Sequence, residues 1–242
     1  MTGIHQVGRI QDQKREKRPM RIAIGTPHGN DFEVEYVTSL FQTMKDIYAD
    51  WIFLPVGGCY IYQNRNVIMW EALEREADYL LFIDTDMFWQ PQDVITLVQL
   101  QAPLATALYC TKDSPFPPCL YNWKDMKIVQ MDRAEVPAVP FSVDIAGFGF
   151  FLMTGEAIRR FMDEKALDEW GLPFDPIAGP RKRPSGFNCE DISFCFRAEK
   201  VGLEIICHPE VRVGHVGRGR IHFRPEADAP LFDPMKLKKY DG

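Results

Sequence analysis

No C-x-x-C pair occurs among the six cysteines, Cys59, Cys110, Cys119, Cys189, Cys195 and Cys207, so a zinc site is not expected. Several of them sit inside apolar runs, as core thiols do, and they read as reduced thiols of a cytosolic protein. No stretch approaches the roughly 18 to 20 apolar residues of a membrane span, and the polar N-terminus does not read as a secretory signal. No G-x-G-x-x-G follows the first predicted strand, which counts against a dinucleotide-binding Rossmann domain, and no Walker loop is present. There is no surplus of positive charge either. The formal net charge of −6 argues against non-specific binding to nucleic acid or an anionic membrane, although a local patch can override it. What is present is ordinary globular material, 242 residues with 46% hydrophobic and 26% charged side chains. That is enough for one large domain with a sizeable core, or one domain plus short extensions.

The most informative stretch runs from Tyr79 to Trp89. Its first five residues, Tyr79 to Ile83, are apolar without a break and predict a strand buried on both faces, in the middle of a helix-covered sheet. Asp84 and Asp86 then stand at the carboxyl end of that strand, where open α/β sheets place their ligands. Two acids beside a buried edge are costly unless a cation compensates them. They read either as ligands of a divalent metal carrying a phosphorylated group or as a strand-ending turn that caps the next helix.

Residues 1–19 hold few apolar side chains and predict a disordered tail. A strand over Met20 to Ile24 leads into Gly25-Thr26-Pro27. The next helix is expected to bury Phe32, Tyr36, Val37, Leu40, Phe41, Met44 and Ile47. Trp51 to Val56 is a second strand. A helix from about Tyr62 to Ala77 follows, with Val67, Ile68, Leu73 and Ala77 inward. It opens on Asn64-Arg65-Asn66, and an arginine there runs against the helix dipole. Either Arg65 binds an anionic ligand in its forked geometry or it is a surface arginine paired to an acid. After the Tyr79 strand, Pro91 starts a helix and Pro103 to Tyr109 is another buried strand. The order βαβαβαβ predicts a parallel α/β sheet.

Beyond Tyr109 the texture is mixed. Short strands are expected at Cys119–Asn122, Lys127–Met131 and Phe141–Ile145. Gly147 and Gly149 interrupt the run Ile145 to Met153, either as room for a close approach or as a bulge. Residues 171–188 form a proline- and glycine-rich loop carrying Arg181, Lys182 and Arg183, of a length that is often functional. A helix over Cys189 to Val201 has Glu190 and Asp191 in its first turn. Strands at Leu203–Cys207 and Val211–Val213, separated by a turn at Pro209, end at His215. Each of these sites has a plain reading, since acids in a first helical turn are favoured by the dipole. Together, two carboxylates and an imidazole suit Mn²⁺, and carboxylates with water suit Mg²⁺. A further carboxylate could take a proton from an attacking hydroxyl. Near a helix N-terminus it is expected to have a low pKa and to stay ionised.

The chain resembles the GT-A-fold glycosyltransferases, close to the family 2-like enzymes of bacteria and their phages, over roughly residues 20–217. The matching pieces are Asp84-Thr85-Asp86 as the D-x-D motif, the glycine strand Ala146 to Phe150, the helix start Cys189-Glu190-Asp191, the Asn64-Arg65-Asn66 helix start, and His215. The resemblance implies a GT-A (Rossmann-like) α/β fold, a central mostly parallel sheet flanked by helices with a smaller antiparallel addition. It implies one catalytic domain over 20–217 and an irregular extension over 218–242. It implies that Thr26 and Pro27 line a nucleoside pocket and that Arg65 reaches the ribose or diphosphate. Asp84 and Thr85 would contact the donor, and Asp84, Asp86 and His215 would hold Mn²⁺ or Mg²⁺. Gly147 and Gly149 would let the donor sugar lie against the backbone. In an inverting transfer Asp191 would be the base and Glu190 would position the acceptor; in a retaining transfer the base role fails. The implied reaction moves a hexose from a UDP-sugar to a hydroxyl on a glycan, a protein or a hydroxymethylated base in phage-type DNA. Arg181 to Arg183, with Arg218 and Arg220, are distinctive to this sequence rather than part of the family pattern, and could close over the diphosphate or guide an anionic acceptor. A nucleotidyltransferase, or a sugar-nucleotide-binding module without turnover, is the alternative, although Gly25 to Asn30 lacks the basic residues of the former.

Overall fold

The computed structural model describes residues 18–29, 31–58, 60–112, 116–124, 127–163, 171–178 and 188–217. Most of the predicted N-terminal tail, Arg181 to Arg183, and Arg218 and Arg220 lie outside the described residues. Arg18, placed in the tail by composition, is instead tied to the body: its guanidinium donates two 2.9 Å hydrogen bonds to the Asp78 carboxylate.

The first half runs β1 (Arg21–His28), α1 (Val34–Asp46), β2 (Asp50–Gly57), α2 (Ile61–Glu74), β3 (Tyr79–Ile83), β4 (Met87–Phe88), α3 (Pro91–Gln99) and β5 (Leu104–Leu108). The second half runs β6 (Leu120–Lys124), β7 (Lys127–Gln130), β8 (Phe141–Val143), β9 (Ile145–Ala146), β10 (Phe150–Thr154), α4 (Gly155–Phe161), α5 (Glu190–Lys200), β11 (Ile205–Arg212) and β12 (Gly214–His215). The main sheet has the order β2-β1-β3-β10-β5-β11-β8. β1 pairs in parallel with β2 and β3, and β5 with β11, while β10 and β8 run antiparallel to their neighbours. A three-stranded antiparallel sheet, β7-β6-β9, stands beside it. The expected architecture is therefore present: a mostly parallel sheet between helices, with an antiparallel addition.

β3 is the axis of the core. Leu80, Leu81, Phe82 and Ile83 are all fully buried. Side chains alternate across a strand, so Leu80 and Phe82 join the core on the side of α2 and α4, and Leu81 and Ile83 the core on the side of α1. An aromatic group fills the first side. Phe148 stacks on Phe151 at 4.1 Å between centroids, and Phe194 stacks on Phe161 and Phe174 at 4.4 and 4.7 Å.

Several expected details give way to tertiary packing. In α1, Phe41 is exposed and Ser39 and Thr43 are buried. Thr43 Oγ1 accepts from Trp89 Nε1 at 2.8 Å and Ser39 Oγ from the Trp89 backbone N–H at 3.1 Å. A buried indole N–H needs a partner, and that demand turns a polar pair inward. In α2, Val67 is exposed while Asn64, Arg65 and Asn66 are buried, for reasons that lie in the site. The glycine run is not one strand. It breaks between β9 and β10, which belong to different sheets. The turn expected at Pro209 is instead an irregularity inside the single strand β11, where the register shifts between His208 and Arg212.

Candidate active site

The carboxyl ends of β3 and β5, the first turns of α2 and α5, and the break between β9 and β10 meet at one edge of the main sheet. Asp84 is the first residue past β3, and its backbone N–H donates to Gly149 O at 3.1 Å. The chain then turns into β4, which pairs with β12 so that Met87 lies opposite His215. A further bond, Val216 N–H to Asp86 O at 2.7 Å, locks the two segments together. Asp86 and His215, far apart in sequence, are thus neighbours: His215 Nε2 stands 3.4 Å from Asp86 Oδ1.

The histidine is oriented from behind. Its Nδ1 lies 3.0 Å from the Cys110 carbonyl oxygen. A carbonyl can only accept, so Nδ1 carries the proton, and in the neutral ring Nε2 presents its lone pair towards Asp86. Asp86 Oδ1 is buried without a hydrogen-bond partner, with His215 Nε2 at 3.4 Å. Two lone-pair atoms facing each other, one orphaned, fit a cation between them, and ligands bonded at about 2.0 to 2.2 Å to one ion stand at about this separation. Among the described residues, no three His, Cys, Asp or Glu side chains converge as a complete metal site. Asp86 Oδ2 is held by Lys112 Nζ. Burial raises the Asp86 pKa; the Lys112 ammonium and, in its protonated form, the His215 ring outweigh it and hold the carboxyl down at about 2.

Beside this pair lies a cluster of acids gathered on one arginine. Arg65 Nη1 donates to Asp191 Oδ1 at 2.7 Å and Nη2 to Asp84 Oδ1 at 3.1 Å, with Glu190 Oε1 4.0 Å away. Its guanidinium lies 5.1 Å from the centroid of the Phe148 ring. The exposures divide the roles. Asp84, Asp86 and Asp191 keep 25 to 30% of their side chains open, whereas Arg65 keeps 2%. Arg65 thus sits beneath the acids and holds them, with almost none of its own side chain exposed. The surface-arginine reading is corrected, since the partners are acids but the site is buried.

One cation against three acids leaves the cluster rich in negative charge. Burial pushes the Asp191 carboxyl up; Arg65 opposes this, Glu190 and Asp84 add to it, and the result is about 7. Burial raises Asp84 too, against the pull of Arg65. The low value expected for Asp191 from its place in the first turn of α5 is overturned. A helix terminus contributes about 0.3–1 kcal/mol, less than desolvation next to like charges.

The remaining predicted residues are placed as follows. Thr26 is fully buried and its hydroxyl is hydrogen-bonded to Tyr36, so its side chain belongs to the core under the site and does not line an open pocket. Pro27 is buried in β1. The Thr85 carbonyl accepts from Glu33 N–H at 3.1 Å, at the entry to α1. The room at Gly147 and Gly149 is filled by Tyr109, whose hydroxyl accepts from Gly149 N–H at 2.9 Å. A Cβ on Gly147 would run into Tyr109 Oη. Because the Tyr109 ring is buried and cannot swing away, Gly147→Ala is expected to lower stability by about 1–3 kcal/mol, read as a fall in melting temperature. In a Tyr109→Phe background, which removes the colliding atom, the added cost should shrink.

Sequence reasoning missed Lys112 and Tyr109. Both follow β5 at the same sheet edge as Asp84, and the rule that ligands gather at strand ends applies to them equally. A cavity of about 540 Å³ opens at the opposite end of the strands, lined by Arg18, Asp78, Thr154 and Arg159 among others, away from these acids.

No protein-family model and no curated protein sequence matches the chain. Solved structures do. The crystal structure of A197 from STIV matches with a TM-score of 0.54 and 16% identity, over 88% of this chain and 98% of that one. GalNAc-T7, a glycosyltransferase solved with UDP, GalNAc and Mn²⁺, matches with a TM-score of 0.50 and 10% identity, over 83% of this chain and 44% of that one. At such identities the likeness is one of architecture, and the chain has a GT-A-like fold.

Proposed function

We propose that the protein is a metal-dependent glycosyltransferase that moves a hexose from a nucleotide sugar, a UDP-sugar first among them, to an acceptor hydroxyl. The observation that carries this reading is the orphaned Oδ1 of Asp86, facing His215 at the end of β3 and bordered by the Arg65 acid cluster. Asp86 and His215 would hold Mn²⁺ or Mg²⁺. An ion bound through one or two protein groups takes the rest of its ligands from substrate phosphates, so a donor-completed site does not need three protein ligands. When bound, the ion would neutralise the charge of the departing diphosphate.

The chain's own residues supply the other half. Asp191, poised near neutrality at an open position, takes the proton from the acceptor hydroxyl as its oxygen bonds to the anomeric carbon. The bond from that carbon to the diphosphate breaks, and its electron pair leaves with the nucleotide. Glu190 would orient the acceptor, and Arg65 keeps Asp84 and Asp191 at fixed spacing. The acceptor is a glycan, a protein or a hydroxymethylated base in DNA; binding that falls steeply with salt would select DNA. The five described cysteines are free thiols, and no described helix is long and apolar enough to cross a membrane; both fit a cytoplasmic enzyme.

The test is a thermal-shift screen of UDP-, GDP- and CMP-sugars with and without Mn²⁺. A UDP-sugar at one hundred times its dissociation constant should stabilise the protein by about 2.7 kcal/mol, only with metal. In Asp86→Ala the metal-dependent part of that shift is expected to vanish. Equal, metal-independent UDP binding by wild type and variant would remove this site assignment.

A further inference from the structure

We propose that Lys112 is an internal competitor of the divalent cation at Asp86, and that arrival of the donor diphosphate releases this competition. The inference rests on the metal reading of Asp86 and His215 given above and adds a role that no sequence motif marks.

The Lys112 ammonium is hydrogen-bonded to Asp86 Oδ2 while the other oxygen of the same carboxylate faces His215. Its place there is built by the fold. The segment after β5 is fastened by Cys119 N–H to Tyr109 O at 2.9 Å, by a bridge between Cys110 and Pro118, and by Thr111 N–H to Pro117 O at 3.0 Å. Cys110 O also accepts from His215 Nδ1. One short segment thus sets the histidine and presents the lysine to the same acid. Lys112 is 39% exposed, so its head group can leave Asp86 for an anion at the mouth of the site.

The physical consequence is direct. A divalent ion and an ammonium on one carboxylate repel each other, and each weakens the other's hold. Metal alone therefore binds a protein in which Lys112 must first be displaced. A diphosphate gives Lys112 a stronger partner, frees Asp86 and strengthens the metal. By linkage, the metal strengthens the diphosphate by the same factor. Lys112 would make metal and donor bind together rather than singly.

The measurement is Mn²⁺ binding to the full chain, followed by the electron paramagnetic resonance signal of free Mn²⁺, with and without UDP. The proteins are wild type, Lys112→Met, Lys124→Met as an exposed-lysine control, and Asp86→Ala, each checked for fold by circular dichroism. Lys112→Met is expected to bind Mn²⁺ alone about tenfold more tightly than wild type, the size of a partly screened charge effect. It should also show a smaller gain on adding UDP, while Lys124→Met behaves as wild type and Asp86→Ala binds weakly throughout. Equal Mn²⁺ affinity in wild type and Lys112→Met, both dependent on Asp86, would overturn the role of Lys112 and leave the metal site standing. Failure of Mn²⁺ to bind any of the proteins, with UDP or without, would overturn the metal reading and this inference with it.

Discussion

Asp191→Asn is expected to lower the rate of sugar transfer by about two to four orders of magnitude while leaving Mn²⁺-dependent donor binding intact. Asparagine keeps the shape and still reaches Arg65, but it cannot accept the acceptor proton. The wild-type value near 7 sets the sign of the pH dependence. The base must be ionised to act, so kcat/KM should rise with pH towards about 7 and level off above it. The acidic limb should be absent from the residual activity of the asparagine variant. The stereochemistry of the product, followed by proton NMR of the anomeric centre, is a second readout. Inversion agrees with Asp191 as base. Retention, or an asparagine variant with near-normal turnover, would take that role away.

The second large effect is expected at Arg65. Its side chain is buried, makes hydrogen bonds to Asp84 and Asp191, and is faced by Glu190. Removing one partner of a buried charge group typically costs about 3–5 kcal/mol, because the others remain uncompensated. Arg65→Ala should therefore melt at a markedly lower temperature near neutral pH. Its deficit should narrow at acid pH, where the abandoned carboxylates can take up protons. Arg65→Lys separates folding from positioning. Lysine restores one positive charge but has no planar fork to span two carboxylates. The lysine variant should recover much of the stability and little of the transfer rate, with KM for donor less affected than kcat. Recovery of both together would reduce Arg65 to a counter-charge.

Much of the site was legible in the residues because its parts follow local rules. An unbroken apolar run ending in acids marks the buried strand and its ligand end. Acids after Cys189 mark a helix start, and the alternating elements mark the parallel sheet. Other features were not legible, because their causes lie across the fold. The inward turn of Ser39 and Thr43 depends on Trp89, 50 and 46 residues away. Burial of the Asn64 to Asn66 segment depends on Asp191 for Arg65 and on the 171–178 loop for Asn66, whose amide donates to Asp175 at 2.9 Å and whose Oδ1 accepts from Phe174 N–H at 3.0 Å. The glycines of the β9–β10 break were open to two readings, and their occupant, Tyr109, comes from the segment just past β5.

By itself, then, the sequence determined the layered α/β architecture and the strand end at which the candidate site lies. Periodicity and strand-end acids are properties of a few consecutive residues. Only the tertiary structure decided which charges meet: Asp86 with His215 and Lys112, and Asp191 with Arg65 and Asp84. The ionisation of a carboxylate depends on its depth and on the charges within a few ångströms, and those neighbours arrive from five separate segments. That is why Asp191, a low-pKa residue when read along its helix, has its carboxyl pushed up to about 7 once the chain is folded.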